Sequence, residues 1–339
     1  MLDRPYPVAL RPRPSTQTNV LRQFGYDQIA RDDRAVVTTG TFDGVHTGHR
    51  AIVDYLVAHA HETGGIATVV SFHPHPREVL AAKPVPLLTT LSERADAFEA
   101  LGLDRFVVLP FTRDLSLLEP EAYVQDMLIE TVGLREIVIG YDHRFGRNRR
   151  GDRAMLERLG AEHGFTVDVI PGQIVAGVTV SSTKIRNALL DVGDAERATH
   201  LMGRPYSFAG TVVRGDQRGR TIGFPTANIH PEEARKLIPK PGVYAVLVDH
   251  EGTAQGRRHP PVRYRGMMNI GYRPTFEDEG AVRIEAHLFH FEGDLYGERL
   301  RVHLIARIRD ERRFDGIEAI RAQLEADRTA SQALLAARS

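Results

Sequence analysis

The sequence contains no cysteine, which excludes disulfides, thiolate zinc sites and a cysteine nucleophile together. It has no apolar run of the roughly eighteen residues that a membrane-spanning helix needs. It also has no excess of either charge: Lys+Arg and Asp+Glu both number 44. A dedicated nucleic-acid binder carries a basic surplus, so neither nucleic acid nor membrane is an expected partner. The stretch Met1–Asn19 holds prolines and arginines but no apolar segment of the secretory kind, and reads as a flexible lead-in. These absences fit a cytoplasmic protein. Oligomeric state leaves no mark in the sequence.

What is present suits two domains. A chain of 339 residues with 42% hydrophobic content can bury two cores of ordinary size. Residues 35–200 alternate short apolar runs with amphipathic stretches. The runs are Ala35–Gly40, Ile66–Phe72, Arg105–Phe111, Glu136–Gly140 and Thr166–Pro171, rich in β-branched residues and ending near Gly, Pro or polar clusters. Between them, segments such as HRAIVDYLVAHAHETG and LSERADAFEALGL place apolar residues three or four apart. Such alternation predicts an α/β domain with a doubly wound parallel sheet, whose ligands bind beyond the C-terminal strand ends. From about Ser207 the pattern changes to period-two or continuous β segments without long helices between them, as in a compact antiparallel barrel or sandwich. A final amphipathic helix spans Ile317 to Leu335. The boundary falls near Gly203-Arg204-Pro205, giving a tail at 1–19 and domains at 20–200 and 201–339.

The segment GTFDGVHTGHR, Gly40 to Arg50, follows the first expected strand and opens the first expected helix. Unpaired N–H groups at a helix start favour phosphate. Gly40, Gly44 and Gly48 allow close backbone approach. His46 and His49, three apart, can face one bound group. Zinc needs a third ligand, and none sits at usable spacing. Local physics leaves two readings open, a phosphate cradle and a glycine-rich turn with solvated histidines. Likewise Ser181-Ser182-Thr183-Lys184-Ile185-Arg186 reads as a helix cap or as a phosphate-holding turn backed by Arg186. In the second half, Gly215 to Ile229 joins a glycine-rich, arginine-bearing turn to Pro-Thr-x-Asn. There Thr226 and Asn228 offer hard oxygens of the kind Mg²⁺ prefers.

In this order, the motifs resemble those of the bacterial bifunctional riboflavin kinase/FAD synthetase family. G-x-F-D-G-V-H-x-G-H is similar to the nucleotidylyltransferase signature. That resemblance implies ATP-phosphate binding and transition-state stabilisation by His46 and His49. It implies nucleotide contacts from Gly40, Phe42, Asp43, Gly44, Gly48, Ser181, Ser182, Thr183 and Arg186. Phe72–Arg77 resembles the family's F-D-P-H-P-R turn, with His73 standing where an acid is usual. Gly140–Gly146 resembles G-x-[DN]-F-x-F-G, with His143 in place of Phe, and implies flavin contacts from Asp142 and Phe145. The stretch Gly215–Ile229 resembles the riboflavin kinase motif, implying phosphate contacts from Gly215, Gly219 and Arg220 and a Mg²⁺ held by Thr226 and Asn228. Glu285, in VRIEAHL, occupies the position of the family's proposed base, while Arg309 and Phe314 fall where flavin binds.

The resemblance thus implies a nucleotidylyltransferase-like sheet domain followed by an antiparallel β-barrel with a terminal helix. It implies two Mg²⁺-dependent reactions: riboflavin and ATP to FMN, then FMN and ATP to FAD with release of pyrophosphate. A kinase with a weakened adenylylating half is the narrower alternative, motivated by His73 and His143. A flavin-storing protein without turnover is the alternative from another class.

Overall fold

The computed structural model describes residues 20–140, 143–170, 180–215, 219, 222–251, 261–272 and 282–337. Six parallel strands form the first sheet: β1 (Leu21–Phe24), β2 (Ala35–Thr39), β3 (Ile66–His73), β4 (Arg105–Pro110), β5 (Leu134–Ile139) and β6 (Thr166–Val169). Their order is β1-β4-β3-β2-β5-β6. The chain therefore leaves β2 with β3 on one side and β5 on the other, the switch point at which open sheets bind ligands. The central strands are almost continuously apolar because helices cover both faces. The edge strand β1 goes beyond the five apolar runs. Its LRQF has only one buried residue, Gln23, and hydrogen-bonds along β4 rather than filling a core.

Helix α1 (Thr47–Glu62) follows β2 and buries Val53, Leu56, Val57 and Ala60, one stripe at three- and four-residue spacing. Helix α2 (Leu91–Ala100) starts with a capping box in which Thr90 and Glu93 satisfy each other's backbone N–H groups. Helix α3 (Arg153–His163) covers the other face. Helices α4 (Ser182–Asn187) and α5 (Ala195–Met202) lead to the second module.

There, β7 (Ser207–Val213), β8 (Ala227–Pro231), β9 (Gly242–His250), β10 (Val262–Tyr272), β11 (Val282–Leu288) and β12 (Arg299–Arg309) close into an antiparallel barrel ordered β10-β11-β8-β7-β12-β9. Closure settles barrel against sandwich and leaves no open edge. Strand β8 lies inside the Pro-Thr-x-Asn segment, where its own turn residues mask its apolar alternation. Helix α6 (Ile317–Ala336) packs against the barrel, burying Asp327, Ser331 and Leu335. Among the described residues no helix is long and apolar enough to cross a membrane.

The two modules share one apolar core. Leu88, Ile185, Leu189, Ala198 and Met202 pack with the barrel interior, including Phe208, Val246 and Leu304. Removing the fully buried Leu304 side chain leaves a cavity in that shared core. Leu304→Ala is expected to lower unfolding free energy by about 3 kcal/mol, read as a drop in the urea midpoint at unchanged slope.

Candidate active sites

The loop joining β2 to α1 has an unusual backbone. Phe42 and Val45 adopt φ of 48° and 38°, and Gly44 adopts 91°. For a β-branched valine this is a strained conformation, costing about 1–3 kcal/mol unless its surroundings impose it. Asp43 helps impose it. Its carboxylate is 1% exposed and accepts from Leu88 N (3.0 Å), Thr89 N (2.9 Å), Thr89 Oγ1 (3.1 Å) and Arg186 Nη2 (2.5 Å). Gly44 N donates to Thr89 Oγ1 at 2.8 Å, and Ser182 Oγ donates to the Asp43 carbonyl at 2.8 Å. A Cβ on Gly44 would lie 2.9 Å from Leu88 Cδ1, so this turn requires glycine.

His46 ends the loop as N-cap of α1, its Nδ1 accepting from His49 N at 3.3 Å. The two imidazoles stack at 3.6 Å with 15° between planes, and Phe42 lies 5.0 Å from His49. Burial brings His46 down to about 4 and, together with the charges of His46 and Arg94, holds His49 well below its ordinary value. Both rings are therefore neutral near pH 7. His49 Nδ1 is buried and has no hydrogen-bond partner among the described residues.

The other expected nucleotide contacts divide by geometry. Gly48 lies in the first turn of α1, and Gly40 N donates to Val70 O at 3.1 Å. Ser181 caps α4 through Lys184 N (3.3 Å), with Thr183 exposed beside it. Asp43 and Arg186 face inward instead. Arg186, expected to offset triphosphate charge, is 7% exposed and bound to Asp43 and to Pro86 O. This buried ion pair braces the loop from behind, tying it to α4 and to the segment before α2.

Two residues of this site gave no signal in the sequence. Arg94, 3% exposed on α2, donates to Thr41 O (2.9 Å) and Ser71 Oγ (3.2 Å) beneath the loop. Nothing in LSERADAFEALGL separates it from a surface arginine. Tyr123 joins an aromatic wall at the strand ends, with centroids 6.4 Å from Phe72 and 6.1 Å from Phe145. His143, the residue replacing a phenylalanine, stacks on Phe145 at 5.8 Å and 24°. His73 ends β3, its carbonyl accepting from Phe111 N at 2.8 Å. Asp142 lies outside the described residues, as does Arg220 of the second site.

In the barrel, Glu285 on β11 stands in register with Asn228 on β8 and with Asn269 on β10. Arg283 Nη1 is 3.6 Å from its carboxylate. A cavity of about 300 Å³ is lined by Glu285, Thr226, Phe224, Met267, Arg309 and Phe314. A smaller one of about 90 Å³ is lined by Asn228, Phe291 and Tyr296, and shares Gly219 and Thr226 with the first. Thr226 and Asn228, two apart, flank the buried Ala227. Gly215 fits against Asn228 so closely that a Cβ would lie 2.6 Å from its Oδ1. Arg309 is held by the buried Asp327 (2.6 and 2.9 Å), and its guanidinium sits 5.7 Å from the Phe314 ring.

Residues 28–184 match the FAD synthetase family model and residues 202–335 the riboflavin kinase model. A bifunctional riboflavin kinase/FMN adenylyltransferase of Pseudomonas fluorescens is 38% identical over 301 residues, covering 89% of this chain and 93% of the relative. The chain belongs to the bifunctional riboflavin kinase/FMN adenylyltransferases. A second such enzyme, from Listeria monocytogenes, is 38% identical over 307 residues, covering 90% of this chain and 94% of the relative. The crystal structure of a protein from Streptococcus pneumoniae called macrolide-efflux protein superposes with a TM-score of 0.77 at 29% identity, over 93% of this chain and 99% of that one.

In this riboflavin kinase/FMN adenylyltransferase the buried histidine pair links stability to pH. Both folded values lie below 6.5, so their contribution is fully present above that pH and is lost as pH falls toward about 4. For His46 alone this is on the order of 3 kcal/mol. Urea midpoints measured across that window by circular dichroism are expected to fall, and replacing both histidines by glutamine is expected to flatten the decline.

Proposed function

We propose that residues 201–339 phosphorylate riboflavin and that residues 20–200 adenylylate the FMN so formed. The observation that carries this reading is the presence of two separate chemical constellations in one chain. The stacked His46–His49 pair lies at the sheet's switch point, and Glu285 lines a barrel cavity of about 300 Å³ while standing in register with Asn228 on the neighbouring strand.

In the barrel, the apolar compartment with Phe314 and the anchored Arg309 takes the flavin ring, and Gly215, Gly219 and Arg220 meet the ATP phosphates. Glu285 accepts the proton of the ribityl 5′-hydroxyl as that oxygen bonds to the γ-phosphorus and ADP leaves. Thr226 and Asn228 fit a hard cation: both offer side-chain oxygens and line the smaller cavity, where Gly215 packs against Asn228 with no room for a side chain. They would hold Mg²⁺, which neutralises phosphate charge when bound.

At the sheet, an FMN phosphate oxygen bonds to the α-phosphorus of ATP and pyrophosphate leaves, giving FAD. His46 and His49 donate hydrogen bonds to the charge that develops, joined by the Ser181 and Thr183 hydroxyls and the Ser182 backbone N–H. Fixed donors in a water-poor site are effective because they need no reorganisation. Phe145 and its aromatic neighbours meet the flavin. His143, which motivates the weakened-half alternative, stacks its ring on Phe145. A cytoplasmic setting, where ATP is abundant, suits both reactions.

A chromatographic time course with riboflavin, ATP and Mg²⁺, beside one started from FMN, tests the assignment. Glu285→Gln is expected to abolish FMN formation while leaving FAD synthesis from supplied FMN intact, and equal loss of both would overturn the two-site reading. His46→Ala with His49→Ala is expected to stop FAD formation while FMN accumulates. Chelation by EDTA is expected to halt both steps, and restoring Mg²⁺ to restart them.

A further inference from the structure

The adenylylating loop is held in part by residues that come from the other module. Leu87 and the segment Arg235–Leu237 form a two-stranded contact, with Leu87 N donating to Arg235 O (2.7 Å) and Leu237 N to Leu87 O (2.9 Å). Between these bonds Lys236, 6% exposed, sends Nζ to Leu88 O (2.7 Å) and to Glu93 Oε2 (2.5 Å), with the Tyr206 ring 4.8 Å away. Leu88 is the residue whose N–H donates to the Asp43 carboxylate. One residue thus has its carbonyl fixed by the barrel module and its amide fixed to the nucleotide loop. Arg204 acts on the same loop directly, donating to Gly44 O (3.0 Å) and Val45 O (3.1 Å). Those are the two residues at the strained turn just before His46.

We propose that Lys236 and Arg204, both supplied by the kinase half, are positioning residues of the adenylylating site. They hold the 42–46 turn, through Leu88 and directly, in the conformation that aims His46 and His49. This rests on the assignment of FAD formation to that site. A loop with two non-glycine residues in the left-handed region keeps that shape only while its surroundings over-determine it. A misplacement of catalytic groups by a fraction of a side chain then lowers the rate without removing any group that touches substrate. The kinase site is spared, because neither residue lines either barrel cavity.

The test measures FAD formation from FMN and FMN formation from riboflavin in the full chain carrying Lys236→Met or Arg204→Met. In each variant, kcat for FAD formation is expected to fall by about tenfold or more, with the riboflavin kinase kcat/KM kept within about twofold. Glu93→Gln added to Lys236→Met separates positioning from mere stability. The glutamine amide oxygen can still accept from Thr90 N. With Lys236 gone, Arg301 Nη1 at 3.3 Å is the cation left on the Glu93 carboxylate. Neutralising that buried carboxylate is therefore expected to restore the melting temperature but not the FAD rate, since Leu88 O still lacks its donor. Return of the FAD rate with the melting temperature overturns the proposal, as does an unchanged FAD rate in Arg204→Met, the variant that carries the test if Lys236→Met fails to fold. Wild-type chain that makes no FAD from FMN would instead overturn the underlying assignment of function.

Discussion

The buried Asp43 carboxylate is the interaction on which the rest of the structure converges. Alone in an apolar interior it would be prohibitively costly, but two backbone amides, the Thr89 hydroxyl and the Arg186 guanidinium surround it. Breaking a buried pair of this kind costs about 3–5 kcal/mol because the remaining charge has nowhere to go. That energy has structural use. It ties the β2–α1 loop to the segment before α2 and to α4, three pieces far apart in sequence, and keeps Phe42 and Val45 in backbone conformations they would otherwise leave.

The two halves solve their chemical problems by different means. The open sheet offers a crevice at its switch point and helix starts that favour anions. The histidines there are kept neutral near pH 7 by burial. The barrel offers a walled cavity in which strand register sets Glu285 against Asn228, and α6 closes one side through the Arg309–Asp327 pair. Their common core, with Leu88 and Ile185 among barrel side chains, makes the nucleotide loop part of the interface between the halves.

Much of this was legible in the sequence. Five of the six parallel strands and α1 follow from apolar runs and spacing, because buried central strands and amphipathic helices write their environment into residue type. The strands that were missed, β1 and β8, are those whose position does not demand such a pattern. The first is a short edge strand, and the second begins inside a turn-rich motif. Residue types and spacing singled out His46, His49, Thr226 and Asn228 with a functional and a plain reading both open, and only the family resemblance pointed to Glu285.

The sequence by itself determined the order of the two modules, the absence of thiol chemistry and the residues available at each strand end. Tertiary structure alone decided the direction in which side chains face. Arg186 and Asp43 lie within motifs yet turn inward to each other, whereas Arg94, in an ordinary helical pattern, lies buried beneath the loop. The reason is that burial and charge pairing depend on contacts between segments scores of residues apart. Local periodicity records which face of an element is apolar, but not which distant charge will meet it.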